Sequence, residues 1–181
     1  MKPKTPKPSR VFAPLPCGAV LLALDVSSSV TGWAVGRIEA DGKPEILDFG
    51  IIKPPSSWDS VRRTDCMLVR LAKILSDFSI THVCCEWQSH KHTGRRVQGL
   101  ATLGQAQGAV RAYLSMTHKF ETISEREWVR INGRCAQKEV RAEFVKQAVP
   151  AYAARVAADP KFDPGMDCAD SLGILLFRAN Q

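Results

Sequence analysis

The sequence predicts an α/β fold: a five-stranded mixed sheet, three antiparallel strands followed by two parallel ones, flanked by helices. Three observations carry this reading. Three apolar runs near the start of the chain are joined by turns too short to allow anything but antiparallel neighbours. A segment with helical periodicity then separates the third run from a fourth, long enough for a parallel crossover. Beyond it, helical and extended segments alternate.

The elements follow in order. "AVLLALD" (19–25), "VTGWAVGRIE" (30–39) and "EILDFGIIK" (45–53) are strands, with "DGKP" (41–44) marking a hairpin turn. "SWDSVRRTDCMLVRLAKILSDF" (57–78) is a helix, because Val61, Leu68, Leu71, Leu75 and Phe78 recur at three- and four-residue steps. "ITHVCCE" (80–86) is the fourth strand. "RVQGLATLGQAQGAVRAYLSM" (96–116) reads as a helix despite three glycines. An internal helix glycine costs about 1 kcal/mol relative to alanine, so close packing against a neighbour is expected there. "KFETIS" (119–124) is the fifth strand, and "SEREWVRI" opens with a capping box, Ser124 with Glu127. "QKEVRAEFVKQAV" (137–149) and "MDCADSLGILLFRA" (166–179) are further helices.

Bulk properties bound the rest. The 181 residues suit one domain with a real core, and 45% apolar with 24% charged residues is ordinary for a soluble globular chain. We read residues 19–181 as that domain and residues 1–18, basic and proline-rich, as a disordered arm. The formal charge of +7, from 25 Lys and Arg against 18 Asp and Glu, favours a polyanionic partner. No apolar run approaches the ~20 residues of a membrane span, so no membrane partner is expected. Six cysteines without regular spacing, and no signal peptide, predict reduced thiols in a cytoplasmic protein. The vicinal pair Cys84 and Cys85 points to opposite faces of a strand, which argues against a zinc site in "HVCCEWQSHKH".

One residue needs explaining. The first strand leads an apolar run into Asp25, and a carboxylate in a core is costly unless it is paired or binds a cation. If that strand lies parallel to 80–86, the two C-terminal ends open at one edge and Asp25 meets Glu86. Open α/β sheets place their ligands at this edge. The last helix adds Asp167 and Asp170, three apart and so on one face of its first turn. Acids at a helix N-terminus have an innocent explanation in the helix dipole, but four converging carboxylates would repel by several kcal/mol. Divalent ions relieve that, and oxygen-only donors select Mg²⁺, with Mn²⁺ able to substitute. Two such ions about 4 Å apart serve phosphodiester hydrolysis, and Lys and Arg around them would hold phosphates. Candidate phosphate contacts are Lys91, Arg95 and Arg96, with His90 and His92, in the loop after Glu86. A second basic stretch holds Arg130, Arg134, Lys138 and Arg141. Ser27, Ser28 and Ser29 have no His partner and no G-x-S-x-G elbow, so a nucleophilic serine is rejected. Trp128 reads as packing rather than base stacking.

These residues resemble a known family. "LDVSSSVTGWAV" resembles the first strand and turn of RuvC-type Holliday junction resolvases, with Asp25, Thr31, Gly32 and Trp33 in place. "LGQAQG" (103–108) resembles the helix after their catalytic Glu, "CAQKEV" (135–140) their Lys-bearing segment, and "DCADSLGI" (167–174) their closing D-x-x-D helix. The resemblance runs from residue 21 to about 176 and implies an RNase H-like fold. It assigns Asp25, Glu86, Asp167 and Asp170 as catalytic, metal-binding acids and Lys138 as a basic residue near the DNA backbone. It also implies a homodimer that cuts four-way DNA junctions in two strands, with no small-molecule cofactor. Two departures stand out. The turn after Asp25 reads "VSSS" where cellular members commonly have Pro-Gly, a place where phage-type members also vary. The loop "WQSHKHTGRR" lacks the Phe that cellular members wedge into the junction, with Trp87, His90 and His92 as candidates to stack instead.

Three other readings remain. Branched, flap or RNA-containing duplexes could be the substrate of the same fold. "LDVSSSVTGWAV" also resembles the phosphate-binding hairpin of actin-like and sugar-kinase ATPases, but those need a duplicated domain and a Gly-rich adenosine motif that are not found here. A DNA-binding protein without catalysis would leave four acids set against phosphate.

Overall fold

A computed structural model describes residues 11–87, 97–131 and 137–181. Five strands form one sheet: β1 (Val20–Val26), β2 (Thr31–Ile38), β3 (Pro44–Ile52), β4 (His82–Glu86) and β5 (Lys119–Ile123), in the order β3-β2-β1-β4-β5. The β1–β2 and β2–β3 pairs are antiparallel, and the β1–β4 and β4–β5 pairs are parallel. Among the described residues six helices flank the sheet: α1 (Ser60–Asp77), α2 (Val97–Ser115), α3 (Glu125–Ile131), α4 (Lys138–Ala148), α5 (Pro150–Ala158) and α6 (Asp167–Ala179).

β1 is buried along its whole length because both faces of the sheet are covered. The two-residue strand period sorts its side chains. Val20, Leu22, Leu24 and Val26 pack with Met67, Leu71 and Ile74 of α1 and Val110 and Leu114 of α2. Leu21 and Ala23 pack with Leu172, Leu175 and Phe177 of α6 and Trp128 of α3. Asp25, next in that second series, therefore belongs to the α6 face. Cys84 of β4 joins the α6 face and Cys85 the other, as the alternation requires.

Several expectations are corrected. Residues 11–18 are not a loose arm: Phe12 is 5% exposed and packs edge-on against Phe177 at 5.9 Å. Ala13 accepts a hydrogen bond from Arg178, so the packed part of the chain begins before residue 19. Residues 1–10 lie outside the described residues. Helix α5 was not anticipated; Pro150 occupies its first turn, where a missing N–H costs nothing. The buried stripe of α1 runs through Thr64, Met67, Leu71 and Ile74, while Val61 is exposed. Among the described residues nothing packs closely on Gly104 or Gly108 of α2: a Cβ at either would meet none of their atoms within 4 Å.

Candidate active site

The parallel register pairs Leu24 with Cys85, so the next residues along, Asp25 and Glu86, emerge side by side at the C-terminal edge of β1 and β4. Both face α6, and each is 6% exposed. Across the antiparallel pair, Asp25 stands opposite Gly32 of β2. A Cβ on Gly32 would lie only 1.8 Å from the Asp167 carbonyl oxygen. Its missing side chain is what lets the first turn of α6 settle against the sheet edge. Asp167 and Asp170, in that turn, thereby join Asp25 and Glu86.

The acids feel one another. Asp25 is pushed well above the usual carboxylate range by burial first, then by the charges of Glu86, Asp170 and Asp167, with Lys138 opposing. Burial lifts Glu86 to about 7, against a lowering hydrogen bond from Trp128 and alongside the charges of Asp170 and Glu125. Asp167 is also raised, by burial, with Lys138 opposing and Asp163 and Asp170 adding to the rise. Burial that makes Asp25, Glu86 and Asp167 hard to ionise is a cost that a bound cation would relieve.

Three neighbours supply order and part of that charge. The Trp128 indole, fully buried, donates its Nε1 hydrogen to Glu86 Oε2 at 2.8 Å. Arg141 donates from Nε to Asp170 Oδ1 at 3.1 Å and from Nη2 to Oδ2 at 3.3 Å, a two-pronged grip. It also donates to Glu125 at 3.2 Å, and its guanidinium sits 5.2 Å from the Trp128 ring centre. Lys138 Nζ, about half exposed, lies 3.3 Å from Asp170 Oδ2 and donates to the Gly165 carbonyl at 3.2 Å. Burial pulls the Lys138 ammonium down, but Asp170, Asp25 and Asp167 together outweigh it and raise it.

The donor set is oxygen only, which suits a hard divalent ion such as Mg²⁺ or Mn²⁺. Their mutual repulsion gives such an ion a reason to bind. Among the described residues no three His, Cys, Asp or Glu side chains are gathered closely enough to hold an ion as they stand. Arg141 and Lys138 occupy Asp170.

The expected phosphate contacts divide. Lys138 stands at the rim of the acidic site. Arg141 does not reach solvent: at 5% exposure it is spent on Asp170, Glu125 and Trp128, because its position on α4 turns inward against α6. Lys91, Arg95, Arg96 and Arg134, like His90 and His92, lie outside the described residues. Trp87 is held at the rim by its N–H, which donates to the Ile123 carbonyl at 2.7 Å, with Arg111 5.8 Å from its ring centre. The Ser27 hydroxyl closes the β1–β2 turn by accepting from the Val30 N–H at 3.0 Å, a structural task for that serine.

One residue escaped the sequence reading altogether. Asp163, 8% exposed, accepts from the N–H groups of Cys168 and Ala169 and from the Tyr152 hydroxyl. It falls in the stretch "DPG" (163–165), between the predicted helices at 137–149 and 166–179, where no element was expected. Only the α6 boundary reveals that its first residue caps the helix that carries two of the acids.

No protein-family model matches the chain, and no curated protein matches it. Solved structures do. RuvC of Thermus thermophilus in complex with a Holliday junction substrate matches at 19% identity and a TM-score of 0.67, over 88% of this chain and 92% of that one. A second T. thermophilus RuvC structure matches at 19% identity and a TM-score of 0.64, over 88% of this chain and 93% of that one. The yeast mitochondrial Holliday junction resolvase matches at 12% and 0.66, over 92% and 80%. At these identities the likeness is one of architecture, and the chain has the RuvC-type form of the RNase H-like fold.

Proposed function

We propose that this protein is a divalent-metal-dependent endonuclease that resolves four-way DNA junctions by paired phosphodiester hydrolysis. The observation that carries the reading is the convergence of Asp25, Glu86, Asp167 and Asp170 from three elements onto one edge of a RuvC-type sheet. Asp170 has structural partners in Arg141 and Lys138, but burial makes Asp25 and Glu86 each a liability for stability that a bound cation would relieve. The solved neighbour bound to a Holliday junction and the net charge of +7 favour branched DNA as the partner.

Asp25, Glu86, Asp167 and Asp170 would hold Mg²⁺, in the two-ion arrangement expected from the sequence. When bound, such ions supply Lewis-acid activation of the attacking water and stabilise the departing oxygen. The remaining work falls to the chain itself. Trp128 fixes the Glu86 carboxylate, Arg141 and Lys138 fix Asp170, and Lys138 is placed to meet a phosphate at the rim. Cutting two strands symmetrically calls for two copies of the site and hence a homodimer. The exposed side of α2 around Gly104 and Gly108, against which nothing packs among the described residues, would be the face offered to a second copy.

The test is a labelled mobile four-way junction beside a flap, an RNA-containing duplex and a linear duplex, in Mg²⁺ and separately in Ca²⁺. Paired nicks across the junction in Mg²⁺ alone are expected. Preference for flaps or hybrids would replace the substrate, and binding without any nick would end the nuclease reading.

A further inference from the structure

Helix α6 begins in an unusual way. Its N-cap, Met166, has φ 60° and ψ 23°, the one non-glycine residue with positive φ among those described, and it offers no side-chain cap. A left-handed conformation costs an L-residue about 1–2 kcal/mol, so neighbouring contacts must hold it. They come from Asp163, three residues upstream. Its Oδ1 accepts from the Cys168 N–H at 3.1 Å and its Oδ2 from the Ala169 N–H at 3.0 Å. The Tyr152 hydroxyl of α5 donates to the same Oδ2 at 2.9 Å. Burial, then the Asp163 charge, push the Tyr152 phenol up, so it remains a donor at any working pH. From the other side Gly32 leaves room for the Asp167 carbonyl, and Gly165 for the Asp167 carboxylate, 2.4 Å from where a Cβ would sit. The first turn of α6 is therefore gripped on both sides, and Asp167 and Asp170 are fixed with it.

We propose that Asp163, braced by Tyr152, is a positioning residue that sets the register of α6 and so aims Asp167 and Asp170 at the cation they share with Asp25 and Glu86. This rests on the nuclease reading above and adds a fifth acid that binds no metal. Asp163 has its three hydrogen bonds inside the fold, which leaves its carboxylate satisfied without an ion. A cap that served stability alone would sit equally well on any helix. Here it is spent on the turn that carries two site acids, and it holds an otherwise disfavoured backbone at Met166.

The test compares wild type, Asp163→Asn and Tyr152→Phe for Mn²⁺ affinity by calorimetry without DNA, for kcat and KM of nicking, and for Tm. Asp163→Asn keeps the shape but removes the charge and turns one accepting oxygen into a donor. Tyr152→Phe keeps the charge and removes only the brace, and it preserves the ring packing, so it should fold even if the first variant does not. Positioning predicts that Tyr152→Phe weakens Mn²⁺ binding about threefold or more and lowers kcat with KM little changed, a part of what one lost hydrogen bond to a charged group is worth. Asp163→Asn should weaken both further. Wild-type Mn²⁺ affinity and kcat in Tyr152→Phe, whatever Asp163→Asn does, would overturn the proposal and leave Asp163 as a charge or a plain cap. A wild type that binds Mn²⁺ but nicks nothing would sink the nuclease reading while the ion-affinity comparison still judges Asp163. A wild type that binds no Mn²⁺ would sink both.

Discussion

The Trp128 indole donates to Glu86 from a ring fixed on two other sides: its six-membered ring would lie 2.8 Å from a Cβ at Gly173, and Arg141 stands 5.2 Å from its centre. A buried glutamate raised to about 7 is therefore held in one orientation by a neutral donor that also favours its ionised form.

Removing that donor has a signed consequence. In Trp128→Phe the hydrogen bond that lowers the Glu86 value is lost, so Glu86 rises further above about 7 and is more often protonated near neutrality. The acidic limb of the nicking profile should move to higher pH. A one-unit move would cut the rate near pH 6 about tenfold while changing it little above pH 9. A uniform loss at all pH values would show that the ring only packs.

Gly32→Ala tests the close approach of α6 to the sheet. The added carbon would overlap the Asp167 carbonyl, a backbone atom that no rotamer change can move aside. Overpacking of this kind costs about 1–3 kcal/mol, occasionally more, and here the displaced segment carries two site acids. We expect a lowered urea midpoint and nicking reduced by at least about a hundredfold, since misplacement on the scale of 1 Å suffices for that.

Asp25→Asn should abolish nicking while preserving junction binding in Ca²⁺. The change removes an ion ligand and at the same time reduces repulsion toward DNA phosphate. Gel shift and nicking assays on one preparation measure both, and undiminished cutting would end the proposed mechanism.

How much of this was legible follows from which interactions are local. The β1 run and its terminal Asp25, the three-residue step from Asp167 to Asp170 and the crossover that sets β1 beside β4 are all pattern, and the sheet order follows from them. The side-chain partners were not legible, because they depend on which way a helix faces once packed. Arg141 read as a candidate phosphate contact in a basic stretch but turns toward α6 and Asp170. Asp163 drew no sequence reading at all, because its role exists only once α5 and α6 are placed. Phe12 read as part of a proline-rich tail, yet its ring finds Phe177 at the far end of the chain.

Stability should depend on pH and on metal in opposite senses. Glu86 holds its proton to about 7 when folded, against 4.5 as its ordinary value, so the folded protein binds a proton that the unfolded chain has released. Its contribution is full below about pH 4.5 and is lost as pH rises through 7, on the order of 3 kcal/mol. Asp25, raised for the same reasons, acts with the same sign. In EDTA the Tm should therefore fall between pH 5 and pH 8. Millimolar Mg²⁺ should restore it at pH 8 and do little at pH 5, where protons compete with the ion. A Tm indifferent to Mg²⁺ at pH 8 would count against the four acids as an ion site.

Lys138 and Arg141 are one helical turn apart on α4 and both touch Asp170, yet they should fail differently when removed. Lys138 is half exposed and Arg141 is 5% exposed. Arg141→Gln leaves Asp170 buried without its two-pronged partner and frees Trp128 on one face. Breaking a buried pair on one side costs about 3–5 kcal/mol, so urea unfolding in EDTA should show a loss of that size. Its junction affinity in Ca²⁺, measured on folded protein, should keep the wild-type salt dependence, because the guanidinium has no path to phosphate. Lys138→Ala should leave stability within about 1 kcal/mol. It should also lower the slope of log affinity against log salt by about one, the signature of one lost phosphate contact. The reverse pattern, a salt slope that falls with Arg141 and not with Lys138, would mean that DNA binding turns α4 outward and that the inward grip on Asp170 belongs only to the unbound protein.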